Sequence, residues 1–151
     1  MIKFNVFSMF FLVFMFHSLS ANDIIDSLLI KYPINDNEVI ALVFLEYGSC
    51  IKCLIMPEKI IEATKKESER NIRIVGMVNV SRKKELTRFK KDTKWKYDAE
   101  PDLKGTVREL IGCKSSNDLC FINSKSEIIA QISTSNPYLK NLDILIKALS
   151  K

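Results

Sequence analysis

A nearly continuous apolar segment, residues 39–47 (VIALVFLEY), limits the folds available to this chain more than any other feature. It is rich in β-formers and lacks polar alternation, which is typical of a strand covered on both faces. Residues 72–80 (IRIVGMVNV) repeat this character, and the stretch of about 50–66 between them has helical spacing. We therefore predict a right-handed βαβ unit with parallel strands, the first of them at the sheet centre.

Helical patterns lie on both sides of this unit. Apolar residues spaced three and four positions apart predict a short amphipathic helix over residues 23–31, ending before Pro33. After the second strand, helices are predicted over residues 82–92 and 106–111, and the segment 94–105 between them is predicted to be irregular. These segments form a helical connector after the βαβ unit.

A hairpin and a last helix complete the pattern. Residues 119–123 (LCFIN) and 127–132 (EIIAQI) are strand-like and close together, which is hairpin spacing. Gly112 is predicted to stop the preceding helix, and Asn136 and Pro137 are predicted to cap and begin the last one. The apolar face of that helix is Leu142, Leu145, Ile146 and Leu149. The predicted order is βαβ, a helical connector, then ββα.

The composition is that of a soluble globular domain. The chain has 151 residues, of which 47% are hydrophobic and 27% are charged. It contains no internal repeat and no low-complexity linker, and its length suits a single hydrophobic core. We expect residues 21–151 to form one domain and the protein to be a monomer.

The first twenty residues are set apart because they have the pattern of a signal peptide. Lys3 is followed by an apolar run over residues 6–16 and then by small residues at Ser18 and Ser20. The run is shorter than the roughly 20 apolar residues that cross a bilayer, so membrane attachment is expected only if the segment stays uncleaved. We predict a signal peptide over residues 1–20, a mature chain beginning near Ala21, and an extracytoplasmic location, periplasmic or secreted.

Loss of this segment restricts the chemistry of the mature chain. It removes one of 23 basic residues and none of 18 acidic residues, which leaves a net charge of 22 − 18 = +4. It also removes His17, the only histidine. Catalysis by Ser–His or Cys–His pairs and histidine-ligated metal sites are thereby excluded. We expect no cofactor and no metal, and sulfur is the main reactive group that remains.

Two of the four cysteines lie where the first strand meets the following helix. In Cys50-Ile51-Lys52-Cys53 the first thiol is expected at the helix start, where free N–H groups and the helix dipole favour a thiolate. Cys50 is therefore the predicted nucleophile. Cys53, one helical turn further on, is the predicted resolving thiol that displaces the partner from a mixed disulfide. Lys52 adds a positive charge that also favours the thiolate.

The sequence leaves other roles open for the four cysteines. Cys50 and Cys53 are alternatively an inert structural disulfide, or half of a zinc site with Cys113 and Cys120. Zinc is disfavoured because six residues separate the second pair, where structural sites usually have about two to four, and because export exposes thiols to oxidation. Cys113 and Cys120 are predicted to be a structural disulfide that closes a small loop, a second redox pair, or separate free thiols.

A basic segment follows the second strand. Eight basic residues lie between Arg82 and Tyr97, interleaved with Phe89, Trp95 and Tyr97 itself. Nucleic-acid-binding surfaces have this kind of pattern. In an exported chain we interpret it instead as a solvated helix face whose aromatic residues pack inward, with an acidic protein or an anionic membrane surface as the alternative partner. No nucleic-acid partner is expected.

The order of elements and the position of the dithiol motif resemble the thioredoxin fold. The resemblance spans about residues 39–149 and is carried by VFLEYGSCIKC, by IRIVGMVNVS with a basic helix after it, and by CFINSKSEII. The spacing is most similar to exported thioredoxin-like thiol:disulfide oxidoreductases and their redoxin relatives. The resemblance implies an α/β three-layer fold with a central mixed sheet, with Cys50 as the attacking and Cys53 as the resolving thiol. It also implies protein thiols or disulfides as substrates and a separate redox partner.

Three positions depart from the family pattern. Ser49 stands where an aromatic residue often precedes the first cysteine, and Pro57 lies four rather than five residues after Cys53. Asp118 stands at the place of the family's cis-proline, which helps to position the substrate backbone. A peroxiredoxin is disfavoured because Tyr47 occupies the position of the threonine three residues before the peroxidatic cysteine.

Glu46, at the end of the first strand, is a further candidate for the site. A carboxylate there is either a proton relay to the buried thiol or simply solvated, and we favour the second reading. The sequence as a whole predicts an extracytoplasmic thiol–disulfide oxidoreductase. The alternative is a redox-inert thioredoxin-like binding or structural module whose cysteines only brace the fold.

Overall fold

A five-stranded mixed sheet forms the centre of the fold. The computed structural model describes residues 20–48 and 51–133, together with 143, 145–147 and 149; of residues 51–53 and 56 it describes the backbone alone. The elements in these ranges are α1 (Ala21–Lys31), β1 (Glu38–Glu46), α2 (Ile51–Glu67), β2 (Asn71–Val80), α3 (Lys84–Thr93), β3 (Asp98–Leu103), α4 (Thr106–Ile111), β4 (Leu119–Ile122) and β5 (Ile128–Ile132).

The strand order is β3-β2-β1-β4-β5. β1 pairs in parallel with β2, and β2 pairs in parallel with β3. β4 runs antiparallel to β1, and β5 runs antiparallel to β4. This topology confirms the parallel βαβ unit, the central position of its first strand and the hairpin near the C-terminus. The predicted α/β class with a central mixed sheet is likewise confirmed.

The side chains of β1 point alternately to the two faces of the sheet, and each face has its own hydrophobic core. The odd-numbered residues from Val39 to Leu45 pack with apolar residues of α2 and α3 and with Leu145 and Leu149. The even-numbered ones pack with α1 and α4. Every residue from Val39 to Leu45 is at most 1% exposed, which explains why the sequence of this strand lacks polar alternation.

The prediction that residues 94–105 are irregular is wrong, because residues Asp98–Leu103 form the strand β3. Its sequence, DAEPDL, contains no apolar run, yet its backbone pairs in parallel with β2, with Val78 opposite Pro101. β3 is an edge strand of the described sheet, where a proline can be accommodated. Because only Ala99 and Asp102 of this strand are buried, no hydrophobic pattern marks it in the sequence.

Trp95 anchors the connector to the sheet. It is buried, with ring centroids 6.4 Å from Phe89 and 5.1 Å from Tyr97, and its Nε1 donates a hydrogen bond to the Asp98 carbonyl at 3.1 Å. Phe89 is also buried, whereas the eight basic side chains between Arg82 and Tyr97 are all exposed. This arrangement matches the interpretation of a solvated basic face with inward-facing aromatic residues.

Helical residues lie near both ends of the described chain. Ser20 caps α1: its Oγ accepts from the Asp23 N–H at 3.2 Å, and Asp23 accepts from the Ser20 N–H at 2.9 Å. The described residues near the C-terminus are helical, and Leu145 and Leu149 are buried, as predicted. Asn136, Pro137 and Leu142 lie outside the described residues, as do residues 1–19 of the predicted signal peptide. Within the described part of the chain, no helix is both long enough and apolar enough to cross a membrane.

Candidate functional site

The candidate site begins where β1 ends and α2 starts. After Glu46 the Tyr47 N–H donates to the Asn79 carbonyl at 3.2 Å, and Gly48 adopts a φ of 95°, which glycine tolerates best. The first helical residue of α2 is Ile51. The Cys-x-x-Cys motif therefore spans the start of this helix, in agreement with the strand-to-helix transition predicted from the sequence.

The structure describes the dithiol motif only in part. Cys50 and Ser49 lie outside the described residues, and of Lys52 and Cys53 only the backbone is described. Both of these residues are in the first turn of α2, a helix of 17 residues with no acidic residue in that turn. Unpaired N–H groups and the positive end of the dipole favour an anion at this place. The roles of Cys50, Cys53 and Lys52 stay predictions.

Glu46 is bound by two partners at the end of β1. Its Oε1 accepts from Arg108 Nη1 at 2.6 Å and its Oε2 from Asn79 Nδ2 at 2.8 Å. The Glu46 side chain is 37% exposed and that of Arg108 is 21% exposed. The carboxylate is thus partly solvated and also ion-paired, a pairing that the sequence did not indicate.

Asp102 extends this group of polar residues to the end of β3. It is 1% exposed, and its two carboxylate oxygens accept from the N–H groups of Val107 at 2.8 Å and Arg108 at 3.3 Å, in the first turn of α4. Burial raises the pKa of Asp102, and the nearby hydrogen bonds and the Arg108 charge only partly oppose this. Glu46, Asn79 and Asp102 therefore lie near the carboxyl ends of three adjacent parallel strands, where open α/β sheets usually place their sites.

Sequence reasoning identified Glu46 and missed its neighbours. Arg108 is 62 residues from Glu46 and Asn79 is 33 residues away, so no local spacing links them. Asn79 could have been noticed in the sequence, because it is a polar residue near the end of the second predicted strand. Asp102 could not be found in this way, because the strand that carries it was itself missed.

Cys113 and Cys120 are brought together by α4 and β4. Gly112 ends α4 with a φ of 84°, as its predicted role as a helix stop requires, and the Cys113 N–H donates to the Arg108 carbonyl at 3.0 Å. Cys120 lies in β4, opposite Leu42 of β1. Both are free thiols in this structure, and their side chains hydrogen-bond to each other. Whether they also form a disulfide stays a prediction.

The two thiols have different environments. The hydrogen bond with Cys120 lowers the pKa of Cys113, and the same bond together with burial raises the pKa of Cys120. Cys113 is 8% exposed and Cys120 is 0% exposed. Arg108 favours the Cys113 thiolate and Asp118 opposes it through their charges. Cys113 is therefore the more readily ionised and the more accessible of the two.

The Asp118 side chain belongs to this second pair of cysteines. Its Oδ2 accepts from the N–H groups of Lys114 at 3.0 Å and Ser115 at 2.9 Å, so it closes the loop between Cys113 and Cys120. Its carbonyl accepts from the Phe44 N–H at 3.1 Å, which aligns the start of β4 with β1. Among the described residues no peptide bond is cis.

Three solved structures have the same fold as this chain. A thioredoxin-type protein from Neisseria meningitidis is 17% identical over 77% of this chain and 77% of its own, with a TM-score of 0.55. A protein from Chlorobium tepidum assigned as DsbE, a thiol:disulfide interchange protein, is 14% identical over 76% and 82%, with a TM-score of 0.54. A protein from Bacteroides thetaiotaomicron assigned as a protein disulfide isomerase is 15% identical over 76% and 76%, with a TM-score of 0.51.

The chain therefore has the thioredoxin-like fold, as the sequence resemblance implied. No protein-family model matches the sequence, and no curated protein matches it either. At such low identities the likeness extends to the fold, and a function has to be argued from the residues of this chain.

Proposed function

We propose that the protein is an exported thiol–disulfide oxidoreductase that exchanges electrons with protein cysteines through Cys50 and Cys53. The observation that carries this proposal is the position of the motif: a central strand ends at Glu46, the following helix begins at Ile51, directly after Cys50 in the sequence, and Cys53 lies in its first turn. The Chlorobium and Bacteroides proteins with this fold, a thiol:disulfide interchange protein and a protein disulfide isomerase, support the same class of chemistry.

The proposed reaction consists of two exchanges. The Cys50 thiolate attacks a substrate disulfide, the S–S bond breaks, and a mixed disulfide forms while one substrate thiolate leaves and takes up a proton. The Cys53 thiol then gives up its proton and attacks the Cys50 sulfur. The second substrate thiol leaves, and a Cys50–Cys53 disulfide remains. Two electrons have passed from the protein to the substrate, and a separate redox partner resets the pair.

The helix start supplies the physical basis for the first exchange. Only the thiolate attacks a disulfide, and its fraction rises where N–H groups and positive charge stabilise it. The first turn of α2 offers free N–H groups and the Lys52 charge without an acidic neighbour in the turn. We assign Lys52 this electrostatic role. Glu46, held by Arg108 and Asn79, is assigned to positioning the strand end.

Reduction of insulin by dithiothreitol tests the proposal. The protein should accelerate it, and Cys50→Ser and Cys53→Ser should each return the rate to the uncatalysed background. Cys53→Ser should accumulate a mixed disulfide on Cys50, because the resolving thiol is gone. Cys50→Ser is the matched control and should accumulate none. The double variant Cys113→Ser/Cys120→Ser should retain the activity.

Absence of acceleration, together with absence of an adduct on Cys53→Ser, would overturn the enzymatic proposal. The protein would then be the redox-inert thioredoxin-like module that is the alternative reading. The export part is tested separately by fractionating cells that express the full chain. An N-terminus at Ala21 on protein outside the cytoplasm supports it, and retention of an intact chain in the cytoplasm contradicts it.

A further inference from the structure

The loop between Cys113 and Cys120 is held in place without a covalent bond. Gly112 ends α4, and the Cys113 N–H donates to the Arg108 carbonyl in its last turn. The Asp118 carboxylate accepts from two N–H groups of the loop. The Asn117 N–H donates to the Phe44 carbonyl at 2.5 Å, which joins the end of the loop to β1. A disulfide is therefore not needed to brace this segment, and the two sulfurs are still within hydrogen-bonding reach of each other.

Cys113, the less buried cysteine of the pair, lies at an open cavity. Cys113 lines this cavity of about 430 Å³ together with Lys114, Ser115, Asp118 and Gln131. Its volume is in the range of small-molecule sites, which begins at about 300 Å³. Asp118 Oδ1 is buried and has no hydrogen-bond partner among the described residues. Cys120 lies in β4 and is fully buried, so a reagent in the cavity meets Cys113 first.

This pair is separated from α2 by the sheet. Cys113 and Cys120 belong to the core formed with α1 and α4. The apolar residues of α2, including Leu54 directly after Cys53, pack in the core on the other face. Because α2 packs on the opposite face of the sheet from Cys113 and Cys120, we assign the second pair a reaction partner of its own.

We propose that Cys113 and Cys120 form a second, reversible dithiol/disulfide site that is oxidised by low-molecular-weight disulfides independently of Cys50 and Cys53. The Cys113 thiol gives up its proton and the thiolate attacks one sulfur of the small disulfide. A mixed disulfide on Cys113 forms as the small S–S bond breaks, and the departing thiolate takes up a proton. The Cys120 thiol then loses its proton and attacks the Cys113 sulfur, which releases the second small thiol. Two protein thiols are oxidised by two electrons, and one disulfide is reduced to two thiols.

The full chain carrying Cys50→Ser and Cys53→Ser isolates this site. It is equilibrated in buffers that run from reduced glutathione alone to oxidised glutathione alone, starting from both ends, and is then quenched with acid and alkylated. Mass spectrometry counts free thiols and identifies the peptides that contain Cys113 and Cys120. Addition of Cys113→Ser gives the matched control, which can form no disulfide within the chain.

We expect the intramolecular disulfide to form and to be reduced again within this series, with the same midpoint from both directions. Two results would overturn the proposal. A disulfide that persists in reduced glutathione alone would be structural. Free thiols, or only glutathione adducts, in oxidised glutathione alone would show that the two sulfurs do not form a pair. Because Cys50 and Cys53 are absent, neither result bears on the function proposed for them.

The order of attack is tested in the same protein by competition. A limiting pulse of iodoacetamide is given to the reduced form, and the label on each cysteine is measured by peptide mapping. Cys113 should carry at least about tenfold more label than Cys120, because it lines the cavity, is the less buried of the two and is the thiol whose pKa is lowered. Equal labelling, or more label on Cys120, would contradict the assignment of Cys113 as the attacking sulfur.

Discussion

At the scale of single residues, Glu46 shows how the fold assigns a role to a carboxylate at a strand end. Its two oxygens are taken up by Arg108 and Asn79, which come from different elements. A partly exposed ion pair of this kind is worth little free energy, about 0–1 kcal/mol, but it orients the groups that form it. We therefore expect Glu46 to position the end of β1 and not to carry protons.

Glu46→Gln tests this assignment, since glutamine keeps the shape and one acceptor oxygen of the side chain but carries no charge and cannot relay a proton. The free energy of unfolding should fall by less than about 1 kcal/mol. The pH profile of insulin reduction should shift by less than about half a unit, equivalent to about 0.7 kcal/mol. Both are measured against the unmodified protein, by urea unfolding and by initial rates.

Arg108→Gln is the matched control, because it breaks the same ion pair from the other side. It should lower the unfolding free energy by a similar amount. If Glu46→Gln instead removed one limb of the pH profile, or moved it by about one unit or more, a proton-relay role would be indicated. Arg108→Gln would not reproduce that effect, which separates a relay from a loss of positioning.

Cys113 and Cys120 differ in how readily their thiols ionise. Both are thiols in the same core, but one donates the hydrogen bond that the other accepts, so the pKa of Cys113 falls and that of Cys120 rises. The sequence left three disulfide pairings open, because spacing along the chain does not report distance in space. A pairing of Cys113 with Cys120 was among the alternatives, and the structure brings the two together by placing Cys113 directly after α4 and Cys120 in β4.

At the scale of elements, β2 and the connector pack closely against each other at Gly76. A Cβ built on Gly76 would lie 3.2 Å from three atoms of the Trp95 ring. The ring cannot easily retreat, because Phe89 and Tyr97 contact it and its Nε1 is hydrogen-bonded to the Asp98 carbonyl. Gly76 therefore allows the α3–β3 segment to pack closely on β2.

Gly76→Ala should lower the free energy of unfolding by about 1–3 kcal/mol, the usual cost of overpacking a core. Urea unfolding monitored by far-UV circular dichroism, which does not depend on Trp95, measures the loss. The same substitution in a Trp95→Phe background should cost less, because the smaller ring leaves room for the added methyl group. Stability of Gly76→Ala within about 0.5 kcal/mol of the parent would show that the ring yields without strain.

Elements also differ in how far the sequence predicts them. β1 and β2 were predicted because strands covered on both faces require an apolar residue at nearly every position. β3 was missed because an edge strand that buries two residues leaves no such pattern. Its existence depends on backbone pairing with β2, which in turn depends on where α3 and Trp95 return the chain.

At the scale of the whole molecule, the position of a strand in the sheet determines how easily that strand opens locally. β1 is paired on both sides and buried on both faces, whereas β5 pairs only with β4 in the described part of the sheet. Alternate N–H groups of an edge strand point away from the sheet, where water can reach them. Local opening should therefore cost least at β5 and most at β1.

Hydrogen exchange followed by mass spectrometry tests this order. Amides of residues 40–44 in β1 should exchange slowest, and those of β5 should exchange faster by about tenfold or more. β2 is the internal control, because it is also paired on both sides and should resemble β1. Equal protection of β5 and β1 would mean that β5 is not a free edge in solution.

The sequence by itself determined the central βαβ unit, the hairpin and the place of the Cys50–Cys53 motif at a helix start. Each of these is encoded locally, in apolar runs, in breaks and in the spacing of two residues along one turn. Only the tertiary structure decided the edge strand β3, the Glu46–Arg108 pair and the meeting of Cys113 with Cys120. Those features join segments from different parts of the chain, and their distances follow from sheet pairing and helix packing rather than from any local pattern.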